Sequence, residues 1–413
     1  MRLLLVAYFY PPCRDTGALR PASMSKWLAR LGHEVAVLTT SAYGEGEVEG
    51  VDVVRTADAQ RWRARRQGGE VGSMFDADSY TGRPHPLSRV LVPEPLVAAW
   101  APFAHRRALK LVRERSFDAV ITTSPPESAH LIGHALARRG LPWVADVRDA
   151  WTFEPLRPAF PTGLQRRLDE RLERRWLGAA DTVICVSEPA AEDLRRRRIA
   201  DPVLIPNGWD PELSDTEAPA GDELFDRKRA SLLYTGRFGS YGRDPAALVE
   251  GMKRLAARHP DAAAKLELVI AGPLTEAEAE LFAADVSPAR IVRAGSVPRE
   301  RALALQRAAD VLLLIAQPAR SQLLNIKLFE YLAAGKPVLA LAAGTEAGRV
   351  VEEIGGQAVR ADDPEAIATA LARVADRELA PPAPEAVEPY TYPAPAQRMA
   401  DAAAAAIRSR RSS

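Results

Sequence analysis

The stretch SQLLNIKLFEYLAAGKPVLA (321–340) carries two structural signals in succession. Asn325 is a helix cap by type. Ile326, Phe329 and Ala333 recur at spacings of three and four, a helical apolar face. Gly335 can close that helix in the left-handed conformation, and Pro337 prevents its continuation. PVLALA (337–342) then reads as a buried strand. A helix delivered straight into a buried strand is the repeating unit of a doubly wound parallel sheet. Lys327 is the anomaly. It lies in the first turn, where the helix dipole disfavours a cation, on a stripe with Glu330 and Ala334. An anion held at the helix start would resolve the conflict. A solvated lysine, or an exposed Lys327–Glu330 pair worth little, would resolve it as well.

The same alternation runs outward in both directions. Toward the N-terminus, strands are predicted over 3–8, 34–39, 51–55, 119–122, 143–146, 182–186 and 203–206. Helices over 22–31, 129–139 and 165–177, with one near 97–115, lie between them. IPNGWDPELSDTEAPAGDE (205–223) is rich in turn formers and reads as a linker. The pattern restarts with strands over 231–235, 266–271, 291–294, 311–315 and 338–341, and helices over 245–258, 276–284, 299–308 and 364–374. The proline-rich run 380–396 reads as extended, followed by a helix over 397–410. Two domains follow: 1–207, with a C-terminal helix of about 396–413 folding back on it, and 208–395. Ligands of doubly wound sheets sit at the carboxyl ends of the strands. Two such domains facing one another imply a ligand cleft.

Composition sets the outer bounds. The chain has 413 residues, 47% hydrophobic and 26% charged, and a net charge of +1. These are the values of an ordinary globular protein and give no overall signal for nucleic acid. Only seven of the 55 basic residues are lysines, a coding bias that lowers the weight of any arginine cluster. Cys13 and Cys185 form no metal-ligand spacing; one disulfide between them is an open alternative to the favoured reduced, cytoplasmic setting. MRLLLVAYFYPP (1–12) reads as a first strand, since its apolar run is short and ends at two prolines.

Three further stretches carry chemistry. In YFYPPCRDTGALRPASMSKWLARLGHEVAVL (8–38), Gly17 lets backbone approach a phosphate or sugar, and Arg20 is expected to point into the same crevice. WVADVRDAW (143–151) sets Asp146, Arg148 and Asp149 at the end of an apolar strand; an acceptor-side or catalytic role and a structural Asp–Arg pair are both open readings. LLYTGRFGSYGRDPAAL (232–248) joins Gly236, Gly239 and Gly242 to Arg237 and Arg243 before a helix that starts at Pro245 behind Asp244. Freed backbone, arginines and a helix start together suit a diphosphate. His130, after Pro125-Pro126, reads either as a cleft-facing catalytic group or as an ordinary helix histidine.

In order along the chain, YPP…GALRPASMSKWLARLGHEVAVLT, TTSPPESAHLIGHAL, PWVADVRDAWT, AADTVICVS, VLIPNGWDP, TGRFGSYGRDP, LVIAGP and NIKLFEYLAAGKPVLAL resemble the family 4 glycosyltransferases, retaining enzymes of the GT-B fold. The resemblance covers almost the whole chain. It implies two Rossmann-like α/β domains facing across a cleft, acceptor-binding first and donor-binding second. It implies transfer of a sugar from a nucleotide diphosphate donor, most often UDP in the family, to a hydroxyl acceptor. No metal or other cofactor is implied. Arg243 or Arg237 with Lys327 would neutralise the diphosphate, and Glu330 would hold the ribose hydroxyls. Amides near Asn325 and Gly17 would bind phosphate, and Val297 would lie near the base. Arg148 and Asp149 would line the acceptor side. Where the family often has a glutamate eight residues before Glu330, this chain has Gln322. That departure keeps two alternatives open: a non-catalytic nucleotide-sugar-binding protein, and a hydrolase or epimerase of the same fold. The acceptor class, whether lipid-linked saccharide, polysaccharide or small natural product, is not readable.

Two further signals have competing readings. DAD (76–78) resembles a metal-binding D-x-D but reads as surface. The basic runs 61–66, 166–175 and 195–198 suit either peripheral contact with the inner membrane face or plain solvated faces. The apolar residues Leu168, Leu172 and Trp176 of the second run read as a core face.

Overall fold

The computed structural model describes residues 1–13, 15–59, 90–153, 160–213, 222–239, 244–316, 324 and 326–412. The chain divides into two compact units. One comprises Met1–Asn207 with Tyr392–Ser413, the other Gly208–Thr391.

In the first unit β1 (Arg2–Ala7), α1 (Leu19–Arg30), β2 (Glu34–Thr40) and β3 (Val51–Thr56) are followed by α2 (Leu96–Ala99) and α3 (Ala101–Glu114). Then come β4 (Ala119–Ser124), α4 (Ala129–Ala137), β5 (Trp143–Val147), α5 (Gly163–Leu177), β6 (Thr182–Cys185), α6 (Glu188–Arg196) and β7 (Val203–Leu204). All seven strands are parallel, in the order β3-β2-β1-β4-β5-β6-β7. Both faces of its five central strands are buried, so those strands read as continuous apolar runs rather than alternating ones. In β1, Leu4 and Val6 enter one core while Leu3, Leu5 and Ala7 enter the other. The second core is closed by α15 (Ala394–Ser412), which contributes Ala396, Met399, Ala400, Ala402, Ala403 and Ala406.

The second unit runs β8 (Ala230–Thr235), α7 (Ala246–Arg258), α8 (Pro260–Ala263), β9 (Leu266–Ala271), α9 (Glu276–Leu281), β10 (Arg290–Gly295), α10 (Arg299–Ala308) and β11 (Val311–Ile315). It continues with α11 (Ile326–Ala334), β12 (Val338–Leu341), α12 (Glu346–Glu353), β13 (Gln357–Val359), α13 (Pro364–Ala375) and α14 (Pro384–Val387). Its six strands are parallel in the order β10-β9-β8-β11-β12-β13. The order reverses at β1/β4 in one sheet and at β8/β11 in the other, the switch points where such sheets open a crevice.

Several expectations need correction. The helix near 97–115 is two helices broken at Trp100, whose buried indole donates to Thr56 Oγ1 at 3.1 Å. The run 380–396 is not simply extended, because α14 and a 3₁₀ turn (Glu388–Tyr390) lie within it. Within 205–223, Trp209 bridges to Thr391. The buried face of α11 is Leu328, Phe329, Tyr331 and Leu332, with Ala333 only half-buried.

Candidate functional site

At the β8/β11 switch point, the end of β8 meets the start of α11. Gly236 follows β8 with φ of +97°, a conformation that favours glycine. A Cβ there would stand 3.1 Å from Lys327 Nζ. The same ammonium lies 4.1 Å from the centroid of the Tyr234 ring, a cation–π contact. Tyr234 is buried, stacks on Phe238 at 3.9 Å, and donates its hydroxyl to the Arg237 carbonyl at 2.7 Å. The turn is also pressed from the side, because a Cβ on Gly272, just after β9, would meet the Gly236 carbonyl at 2.1 Å.

A buried polar network locks α11 against this turn. The Tyr331 hydroxyl donates to the Leu313 carbonyl of β11 at 3.1 Å and faces the Thr235 amide at 3.4 Å. Gln306 of α10 donates to Thr235 Oγ1 at 3.1 Å. Tyr331 lies one turn beyond Lys327, so its anchorage fixes the height at which Lys327 reaches over Gly236. None of Tyr234, Gln306, Gly272 and Tyr331 stood out in the sequence. The glycine directly after the apolar run LELVIA (266–271) was the one readable hint.

Glu330 is three-quarters buried on the side chain and pairs with Arg299 at 2.9 Å. Both α10 and α11 therefore carry a cation in the first turn, Arg299 and Lys327. Val297 is half-buried behind Gly295, and Arg237 is exposed beside Gly236. Arg243, Gln322, Asn325 and the DAD tripeptide lie outside the described residues.

In the first unit the structure gathers the predicted residues at the ends of β4 and β5; Asp146, Arg148 and His130 take structural roles, the second of the readings open for each, while Arg20 and Gly17 depart from what was expected. Arg20 is 6% exposed. It pairs with Asp146 through Nε at 3.1 Å and Nη2 at 2.8 Å. It also donates to the carbonyls of Ile205 at 3.1 Å and Pro206 at 2.8 Å, and to Asn207 Oδ1 at 3.4 Å. It is a buried tie between α1, β5 and the segment after β7, so it does not point into an open crevice. Burial alone would raise the Asp146 pKa, but the Arg20 charge and hydrogen bonds, aided by Arg148 and Thr123, hold it below the usual carboxylate range.

Arg148 is likewise turned inward. It donates to the carbonyls of Ser124 at 2.8 Å and Pro125 at 3.1 Å, and to that of Gly17. It clamps two loops together. Burial pushes its pKa down. The Gly17 amide is given to the Asp15 carboxylate at 3.0 Å, and a Cβ at Gly17 would touch the Phe9 ring at 3.3 Å. Gly17 thus serves close packing, and its N–H is not open to a phosphate. Asp149 differs from its neighbours in keeping surface exposure at the strand end, although the surrounding protein desolvates its carboxyl and pushes its pKa up against the pull of Arg148.

His130 is fully buried, with Nδ1 at 2.8 Å from Thr122 Oγ1 and Nε2 without a hydrogen-bond partner. Its ring stacks against Trp151 at 6.2 Å. Burial pushes its pKa down to about 4, so the imidazole is neutral near pH 7. An enclosed, neutral side chain does not reach a substrate, so His130 is an ordinary buried helix histidine and not a catalytic group.

Comparison with known proteins follows the division into units. Residues 17–208 match the family model described as glycosyl transferase 4-like domain, and 229–377 match that of glycosyl transferases group 1. The chain is 28% identical over 272 residues to a phosphatidyl-myo-inositol mannosyltransferase of Mycolicibacterium smegmatis, covering 66% of each protein. It is 31% identical over 245 residues to a D-inositol 3-phosphate glycosyltransferase of Streptomyces griseus, covering 52% of this chain and 49% of the relative. The chain thus spans about two thirds and about half of the lengths of these relatives. Among solved structures, sucrose-phosphate synthase from Thermosynechococcus elongatus shares the fold. Its TM-score is 0.58 at 18% identity, with 97% of each chain covered.

Proposed function

This chain belongs to the family 4-like glycosyltransferases of the GT-B fold, and we propose that it moves a sugar from a nucleotide diphosphate donor to a hydroxyl acceptor with retention of configuration. The observation that carries the reading is Lys327. Its ammonium is held over the Tyr234 ring and the bare Cα of Gly236, at the start of α11 and at the switch point of the second sheet. A cation, a freed backbone and a helix N-terminus converge there on what a diphosphate needs.

In the proposed step the acceptor hydroxyl bonds to the anomeric carbon while the bond from that carbon to the diphosphate oxygen breaks. The hydroxyl proton passes to the departing phosphate on the same face, so no protein nucleophile is required. Lys327 and the α11 amides stabilise the charge that grows on the leaving group. The cation on this side is the protein's own, and the transfer is proposed to need no metal. Glu330 is assigned to the ribose hydroxyls; Arg299, now on that carboxylate, must share or release it. Uridine is proposed as the base, following the commonest usage of the family. Asp149, the exposed residue of its strand end, is assigned to the acceptor side. Arg20, Arg148 and Gly17 shape that side without touching ligand.

The test is a thermal-shift series with UDP-, GDP-, ADP- and TDP-sugars on the wild type and Lys327→Ala. Ligand at about a hundred times its dissociation constant stabilises by roughly 2.7 kcal/mol. A shift with one nucleotide, absent in Lys327→Ala, is the expected result and names the base. No shift with any of the four would sink the donor site. Product analysis then separates transfer from hydrolysis, which releases free sugar without acceptor, and from epimerisation, which leaves the nucleotide attached. Saturable binding with no turnover over a wide acceptor panel would favour a non-catalytic binding protein.

A further inference from the structure

Helix α5 is built inside out. Its buried side carries Asp169 and Glu173, 4% and 1% exposed, beside Trp176 and Leu177. Both carboxylates are satisfied within the protein. Trp151 Nε1 donates to Asp169 at 2.9 Å, and Glu173 accepts from Thr152 Oγ1 and Arg197 Nη1, each at 2.6 Å. The outer side carries leucines instead: Leu164 is 77% exposed and Leu168 45%. This overturns the expectation that Leu168 shares a core face with Trp176.

Positions 164, 167, 168, 171 and 175 recur at helical spacing, so Leu164, Arg167, Leu168, Arg171 and Arg175 share one face. Glu170 lies off that face. Arg167, Arg171 and Arg175 are exposed and make no hydrogen bond or ion pair with other described residues. Gln165 Nε2 donates to the Val90 carbonyl at 3.3 Å, which sets the exposed Val90 beside the first turn. Three of the four exposed large apolar side chains among the described residues therefore gather at one end of this helix.

The other basic run within the described residues behaves differently. Arg195 pairs with Glu188 and Asp201, Arg196 with Asp193, and Arg197 with Glu173 and Asp193. Arg195, Arg196 and Arg197 are thus each neutralised by carboxylates of the protein, whereas Arg167, Arg171 and Arg175 of α5 are not.

We propose that the outer face of α5 docks this chain on an anionic lipid surface. Leu164, Leu168 and Val90 enter the boundary between headgroups and acyl chains. Arg167, Arg171 and Arg175 meet lipid phosphates, their stems lying along the apolar layer. The acid-free arginine face selects anionic headgroups, and the leucines supply the apolar area that charge alone lacks. The contact is peripheral: no helix among the described residues is long and apolar enough to cross a membrane. The inference rests on the first unit alone and stands apart from the donor-site reading.

The experiment is co-sedimentation of the full chain with vesicles of phosphatidylcholine, with and without phosphatidylglycerol. Expected is binding to the anionic vesicles only, reversed by high salt. Each arginine at such a surface is worth about fivefold in partition, so Arg167→Gln/Arg171→Gln/Arg175→Gln lowers binding roughly a hundredfold. The matching triple lysine variant restores most of it. Leu164→Ser/Leu168→Ser also weakens binding, while Arg195→Gln/Arg196→Gln leaves it unchanged. As a readout separate from sedimentation, the difference emission of Leu168→Trp minus wild type, which removes the seven native tryptophans, shifts to the blue on anionic vesicles. Failure of the wild type to bind would overturn the proposal, as would undiminished binding by the arginine or leucine variants, or an unshifted emission spectrum from Leu168→Trp. Binding to polyglutamate in place of vesicles would assign the face to an acidic protein and overturn it equally. The donor-induced thermal shift is read on the same proteins, so failure of one reading is separable from failure of the other.

Discussion

At the scale of single residues, the first unit shows that a reactive type at a strand end need not be reactive. His130 has the chemistry of a general base, yet it sits in the core on Thr122 and Trp151. Its burial has a thermodynamic signature instead. The unfolded imidazole titrates near 6.5 and the folded one at about 4. Between those values the unfolded chain binds a proton that the folded chain refuses, so stability rises with pH through this window. The contribution is complete above pH 6.5 and is lost as pH falls toward 4, of order 3 kcal/mol in all. His130→Gln is therefore expected to lose less stability than the wild type between pH 7 and pH 4.5 in urea titrations. Parallel pH dependences of the two proteins would refute this. Arg20 and Arg148 make the same point with charge. A sequence shows a cation near a loop glycine but not whether carbonyls have already claimed its donors, as those of Ile205, Pro206, Ser124 and Pro125 have.

At the scale of elements, the candidate donor site depends on how closely two strand ends and one helix start approach. The sequence made α11, its closing glycine and the following strand legible, because periodicity, Gly335 and Pro337 are local signals. It left the support unread. Gln306 lies 71 residues from Thr235 and Tyr331 lies 96, so no spacing rule links them. Gly272 matters for the same non-local reason. An added methyl would meet backbone at 2.1 Å and must displace the Gly236 turn from Lys327. Gly272→Ala is expected to weaken donor binding at least about tenfold, since displacements near 1 Å carry costs of that order or more. It should do so with the far-ultraviolet dichroism preserved. Unchanged donor affinity, read by calorimetric titration, would show that the turn is not held where the contact implies. The three residues of β13 are too few to set up a period, whereas α12 carries Ala347, Val350 and Val351 at helical spacing and was legible in principle.

At the scale of the whole molecule, two parallel sheets with reversed strand order fold as separate compact units, and the last helix belongs to the first of them. Ala403 of α15 is fully buried against the first sheet. Ala403→Arg places a charge where none can be solvated, so the first unit should unfold at lower temperature. The second unit, with its own cores, should keep its transition and its donor-induced shift. Equal lowering of both transitions in calorimetry would mean that the two unfold as one. The doubly wound class, the restart of the pattern after the linker and the helix-start lysine were determined by sequence alone, since apolar period, turn formers and capping residues act over a few positions. Tertiary structure alone decided which charges are spent and which are available. It turned Arg20, Arg148 and His130 inward, set Lys327 over Tyr234, and left the leucines of α5 outside while its carboxylates went in. Burial and pairing depend on partners scores of residues away in the chain, and no local period records them.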